Sequence, residues 1–116
     1  MERAYDVKIP VAIFDSAIDT EKRISYVATN NQEGGRMAAR RIGELLGGKG
    51  KVALIGFMAG SAATMERESG FQEELKQKFP DIRMVGLYFS MADRAKALAA
   101  AENVLAAHPG LAGLFA

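Results

Sequence analysis

The chain has 116 residues, with 15 Lys or Arg against 14 Asp or Glu, a formal net charge of +1 and no cysteine. That length holds one domain or a piece of one, with a modest core. The balanced charge offers no broad electrostatic footprint for nucleic acid or an anionic membrane, there is no disulfide framework, and no apolar run is long enough to span a bilayer.

Residues 3–7 read as the tail of a helix, which Ile9-Pro10 separates from a buried-type strand at residues 11–14. This start is not a signal peptide, because it lacks a basic opening, an unbroken apolar stretch and a small-residue cleavage site. Residues 24–28 form a second, shorter extended run. Residues 32–46 then read as a helix with Met37, Ala38, Ile42, Leu45 and Leu46 on one face and Arg36, Arg40 and Glu44 outward. Gly47-Gly48 stops it.

An apolar run at residues 52–57 is the expected central strand. It gives way to a small-residue loop, Ala59, Gly60 and Ser61, and then to a helix at residues 62–78 closed by Phe79-Pro80. Residues 82–89 are a strand with looser patterning. An Ala-rich helix at residues 92–107 ends at His108-Pro109-Gly110, and residues 111–115 are the last strand. Short connections between alternating strands and helices predict an α/β domain: an open, mostly parallel sheet with helices on both faces. A chain that opens in a helix tail and stops inside a strand reads as a fragment, with an incomplete sheet.

Several residues are candidates for chemistry. Gly43, Gly48 and Lys49 have the spacing of a phosphate loop, but Gly50 stands where Ser or Thr must meet the metal. Helix also precedes strand here, the reverse of the order that converges amides on a phosphate, so the segment reads as a helix stop. The 57–61 loop has the right order, and its amides and the Ser61 hydroxyl suit an anion or a hydroxyl ligand; equally, Ser61 is a helix cap eased by Gly60. Arg67 lies about one and a half turns into that helix, either as a solvated surface cation or as a donor at the sheet edge.

Asp15 and Ser16 end the first strand, where open α/β sheets meet polar ligands; the alternative is a turn-forming Asp. Of Asn30 and Asn31 one is expected to cap the following helix, which leaves the amide of the other free to donate and accept. His108, the only histidine, finishes a helix, and no nucleophile has a base near it in sequence. No metal site, cofactor or catalytic residue is expected, and the reading is of a binding protein rather than an enzyme.

The segments IPVAIFDS, VATNNQEGGRMAARRI, LLGGKGKVALI, AGSAATMERESGF, DRAKALAAAENVLAAHP and LAGLFA resemble, in order and spacing, the type 1 periplasmic sugar-binding proteins of ABC transporters, close in pattern to the ribose-binding group. The resemblance implies two α/β lobes that close on a monosaccharide without chemistry. Residues 1–28 would be the end of the first lobe and a hinge crossing, and residues 29–116 part of the second. It further implies Asp15 and Ser16 at the lobe junction, Asn31 as a ligand contact beside Thr29, Met58 as apolar lining and Arg67 as a donor to the sugar.

Ser16 stands where ribose binders carry an arginine, which puts ribose itself in question as the ligand, and Asn30 replaces a frequent aspartate. The implied partners are a small sugar and an ABC permease, in a periplasmic or extracellular parent protein. Self-association of the chain alone is expected from exposed sheet edges. The effector-sensing core of a LacI-type transcription regulator shares the fold and is the alternative. Such regulators carry a Gly-His-Arg-Arg-like segment where this chain has Gly-Gly-Lys-Gly-Lys. A receiver-like or flavodoxin-like domain fits less well, for want of an acidic cluster or a Ser/Thr-rich phosphate loop.

Overall fold

The computed structural model describes residues 1–116 as two parallel sheets that share no strand. Helix α1 (Glu2–Asp6) precedes strands β1 (Ala12–Phe14) and β2 (Ser25–Val27), which pair with each other, Ile13 opposite Tyr26. Then follow α2 (Asn31–Leu45), β3 (Gly50–Gly56), α3 (Ala62–Lys78), β4 (Ile82–Phe89), α4 (Arg94–Ala107) and β5 (Gly113–Phe115). The second sheet has the order β4-β3-β5, parallel throughout.

Chain connectivity explains the layers. From β3 the chain crosses through α3 to β4 on one side, then returns through α4 to β5 on the other. Right-handed crossovers in opposite directions put α3 and α4 on opposite faces, as an α/β sheet requires. Strand alternation sends Val52 and Leu54 toward one face, where they pack with Ala39 of α2 and Phe71 and Leu75 of α3. Phe71 is fully buried and stacks on Phe115 of β5, ring centroids 4.2 Å apart. Ala53 and Ile55 face the other way, on the side of α4, whose Ala100 and Val104 are buried. Because β3 is central and covered on both faces, every residue from Val52 to Gly56 is buried.

Two expectations about packing are corrected. Apolar composition marked residues 11–14 as a buried strand, yet in β1 only Ile13 is buried and Phe14 is 83% exposed. All of β2 is exposed as well. An apolar strand is buried only where another layer lies on it, and the three-stranded sheet and its helices pack elsewhere.

The second correction concerns α2. Met37 and Leu45, assigned to the inward face, are exposed; the buried positions are Asn31, Gly35, Ala39 and Gly43. Ala38, Ile42 and Leu46 do flank the core. The buried row is one of small residues, four apart, which lets α2 lie against α3 almost backbone to backbone. A Cβ at Gly35 would overlap the Arg67 carbonyl oxygen and stand 2.7 Å from the Phe71 amide nitrogen; a Cβ at Gly70 would overlap the Gln32 carbonyl. Arg36 and Arg40, expected to point outward, line this seam instead. Arg40 reaches Glu74 of α3 at 3.1 Å and also pairs with Glu33, while Arg36 reaches Glu73 at 3.5 Å. The two carboxylates hold the Arg40 guanidinium above its ordinary pKa, chiefly through the Glu33 hydrogen bond and then that of Glu74.

Boundaries shift for local reasons. Met91 and Ala92 have positive φ and cannot join α4, which begins after Asp93, whose carboxylate accepts from the Lys96 amide at 2.8 Å. Gly47 and Gly48, at φ +62° and +80°, end α2 as read from sequence. No helix is long and apolar enough to cross a membrane.

Candidate functional site

The order β4-β3-β5 reverses chain direction at β3, so a crevice opens beyond the carboxyl ends of β3 and β5, where open α/β sheets bind ligands. A small cavity of about 60 Å³ lies there, lined by Ile55, Phe57, Thr64, Arg67, Glu68, Phe115 and Ala116. It is too small to enclose a ring sugar, and it opens as part of a wall.

The loop from β3 to α3 shapes that wall. Gly60 adopts φ +92°, which turns the chain into the helix. Ser61 occupies the N-cap position, but its hydroxyl makes no capping bond, contrary to the capping alternative; its carbonyl accepts from the Thr64 hydroxyl and the Met65 amide. The loop is tied instead by Glu68, which sequence reading missed. Glu68 is 9% exposed, and its Oε1 accepts from the Phe57 amide at 3.2 Å. Gly56 makes room for it, since a Cβ there would come 2.7 Å from the same oxygen. Glu68 stands three and seven residues before the buried Phe71 and Leu75, and that spacing was the available signal.

Arg67 is exposed on α3 at the mouth of this cavity and forms no ion pair. Its one hydrogen-bond partner is neutral: Nη2 donates to Asn31 Oδ1 at 2.6 Å. A guanidinium has five N–H donors, so most of its donors remain for a ligand. Flanking Glu66 and Glu68 do not neutralise it, because adjacent helical residues point in different directions.

Asn30 is the residue that caps α2, its Oδ1 accepting from the Glu33 amide at 3.1 Å. The amide of Asn31 is then spared from capping but is not left free. Asn31 is 1% exposed, and its Nδ2 donates to the Thr29 carbonyl at 3.2 Å while its Oδ1 accepts from Arg67. Asn31 and Arg67 are therefore brought together.

Asp15 and Ser16 sit elsewhere, at the carboxyl end of β1. Asp15 has φ +70°, its amide donates to Val27 at 3.0 Å, and its carboxylate is exposed. The Ser16 amide donates to the Phe14 carbonyl at 3.1 Å. Met58 is half-buried in the β3–α3 loop and does not line the Arg67 cavity; Phe57 does. No group of three or more His, Cys, Asp or Glu side chains is gathered for a metal ion.

The description "periplasmic binding protein domain" fits residues 1–116 as a family model. The ribose import binding protein of Bacillus subtilis (strain 168) is 37% identical over 116 residues, covering 100% of this chain and 37% of that protein. A solute-binding protein of an ABC transporter from Burkholderia graminis, solved with D-arabinose, superposes with a TM-score of 0.92 at 34% identity, over 97% of this chain and 39% of the other. The fructose-binding periplasmic domain of a hybrid two-component system superposes with a TM-score of 0.91 at 32% identity, over 98% and 38%. The chain thus spans well under half the length of these relatives.

Proposed function

Because the chain belongs to the periplasmic binding protein domain family, we propose that it is part of a sugar-binding protein that serves an ABC importer and holds a monosaccharide between two lobes without making or breaking a bond. The observation that carries this is Arg67: a guanidinium at the topological switch point with no carboxylate partner, on a residue that lines a concave, partly apolar wall. A hydroxyl-rich neutral ligand suits such donors, and a wrong hydroxyl pattern leaves buried donors unpaired, which is the basis of selectivity.

In this reading Asp15 and Ser16 contact the sugar from the first lobe, Met58 and Arg67 from the second, with Asn31 seated behind Arg67. Residues 1–28 are the end of the first lobe and a crossing, and residues 29–116 are part of the second; the absence of a shared strand between the two sheets supports that division. Closure is a hinge motion favoured by tighter binding to the closed state. The working site is outside the cytoplasmic membrane, facing a permease. Two of the relatives above are named as an import binding protein and an ABC transporter solute-binding protein, which favours this reading over a LacI-type regulator.

Calorimetric titration of the longest natural polypeptide containing this chain, against D-ribose, D-arabinose, D-fructose and an amino-acid control, tests the reading. Saturable one-to-one binding of at least one sugar and none of the control is expected. Indifference to every monosaccharide of a pentose and hexose panel rejects it. The 116-residue chain by itself should self-associate through the exposed ribbon that carries Phe14, Ile24 and Val27. Light scattering should give a mass above the monomer's 12.5 kDa, rising with concentration; a strict monomer at high concentration contradicts this.

A further inference from the structure

Asn31 is a polar side chain sealed inside the protein at the first position of α2, 1% exposed. The chemistry of its partners settles which way the amide points. A guanidinium only donates, so the oxygen faces Arg67; a backbone carbonyl only accepts, so the nitrogen faces Thr29. The amide is thus a rigid link, from the carbonyl of the segment that joins β2 to α2, through Asn31, to the head of Arg67. Gly35, one turn further along the same helix, lies against the Arg67 carbonyl. Helix α2 therefore fixes Arg67 at two points: Gly35 seats its backbone and Asn31 holds its guanidinium.

We infer that Asn31 is a positioning residue for sugar binding, acting through Arg67 rather than touching the ligand, and that it ties the aim of Arg67 to the crossing segment at Thr29. This rests on the sugar-binding reading above. A long side chain at a surface otherwise samples many rotamers, and that freedom is lost on binding. A donor held beforehand at 2.6 Å on a buried, immobile acceptor has already lost most of it. The acceptor is neutral, so it orients the cation without neutralising it. A carboxylate in its place would compete with the sugar.

The test is a double-mutant cycle on the longest natural polypeptide containing this chain, titrated with whichever monosaccharide it binds. Asn31→Ala should weaken binding about tenfold when Arg67 is present and less than about twofold in the Arg67→Ala background. An equal loss in both backgrounds overturns the inference, because Asn31 would then contact the sugar or only support the fold. So does unchanged affinity in Asn31→Ala. A second measurement needs neither sugar nor variant. In nitrogen-15 NMR of the unliganded wild-type protein, the Arg67 Nη groups should show hindered rotation as resolved resonances, while exposed Arg94 averages. Averaged Arg67 resonances overturn the inference. If the wild-type protein binds no sugar, the functional reading fails and this spectrum alone decides the role of Asn31.

Discussion

Replacing Gly35 by Ala is expected to cost this domain about 4 kcal/mol or more of its stability in equilibrium denaturation by urea. The added Cβ would overlap a carbonyl oxygen and crowd an amide nitrogen at 2.7 Å, both belonging to the backbone of α3. Backbone cannot rotate away as a side chain does, so α2 and α3 must separate. That separation would open the core packed around Ala39, Phe71 and Leu75. It would also move Arg67, whose carbonyl is the first atom struck. Domains of this size have only about 5–15 kcal/mol in total, so the loss would be a large share of it. Neighbouring Gly34 is the control, since a Cβ there meets nothing within 4 Å. Gly34→Ala should stabilise by about 0.5–1 kcal/mol, the gain of alanine over glycine in a helix. A Gly35→Ala protein that unfolds at the same urea concentration as wild type would disprove the close crossing.

Arg67→Ala should weaken sugar binding by about a hundredfold, close to 3 kcal/mol, as expected when charged hydrogen bonds to a buried hydroxyl are removed. Stability should fall by about 1–3 kcal/mol, because the buried Asn31 Oδ1 loses its donor although Arg67 itself is exposed and makes no ion pair. Arg67→Lys should still lose about tenfold: an ammonium keeps the charge but not the planar fork that serves Asn31 and a ligand together. Calorimetry gives the affinities and urea denaturation gives the stability. Binding within twofold of wild type in Arg67→Ala would remove Arg67 from the site and, with it, the main support for the functional reading.

The alternation of apolar strands and helices was plain in the sequence, and α3 and β4 lie on the residues expected from pattern alone. So was the strand–loop–helix order around Gly60, which put Arg67 near a sheet edge. Pattern failed where burial did not follow hydropathy. Met37 and Leu45 are apolar and exposed, while Asn31, Gly35 and Gly43 are not strongly apolar and are buried. A helix that approaches its neighbour through glycine carries no hydrophobic stripe at the contact, so periodicity points to the wrong face. Glu68 escaped for a related reason: its one visible bond runs to a backbone amide eleven residues earlier, and nothing in a sequence marks which amide a carboxylate will find.

By itself, then, the sequence determined the class of fold, the turns at Gly47, Gly48 and Gly60, and the placement of Asp15 just past the end of β1 and of Arg67 in the second turn of α3. These follow from local sterics and from periodicities of two and 3.6 residues, which a single chain segment carries. Only the tertiary structure decided that α2 and α3 cross on glycines, that β1 and β2 form a sheet of their own, and that Asn31 is spent on Arg67. Those outcomes depend on which segments meet from outside the local chain, as Asn31 and Arg67 do across 36 residues, where close packing admits one arrangement of small side chains and buried donors must find acceptors.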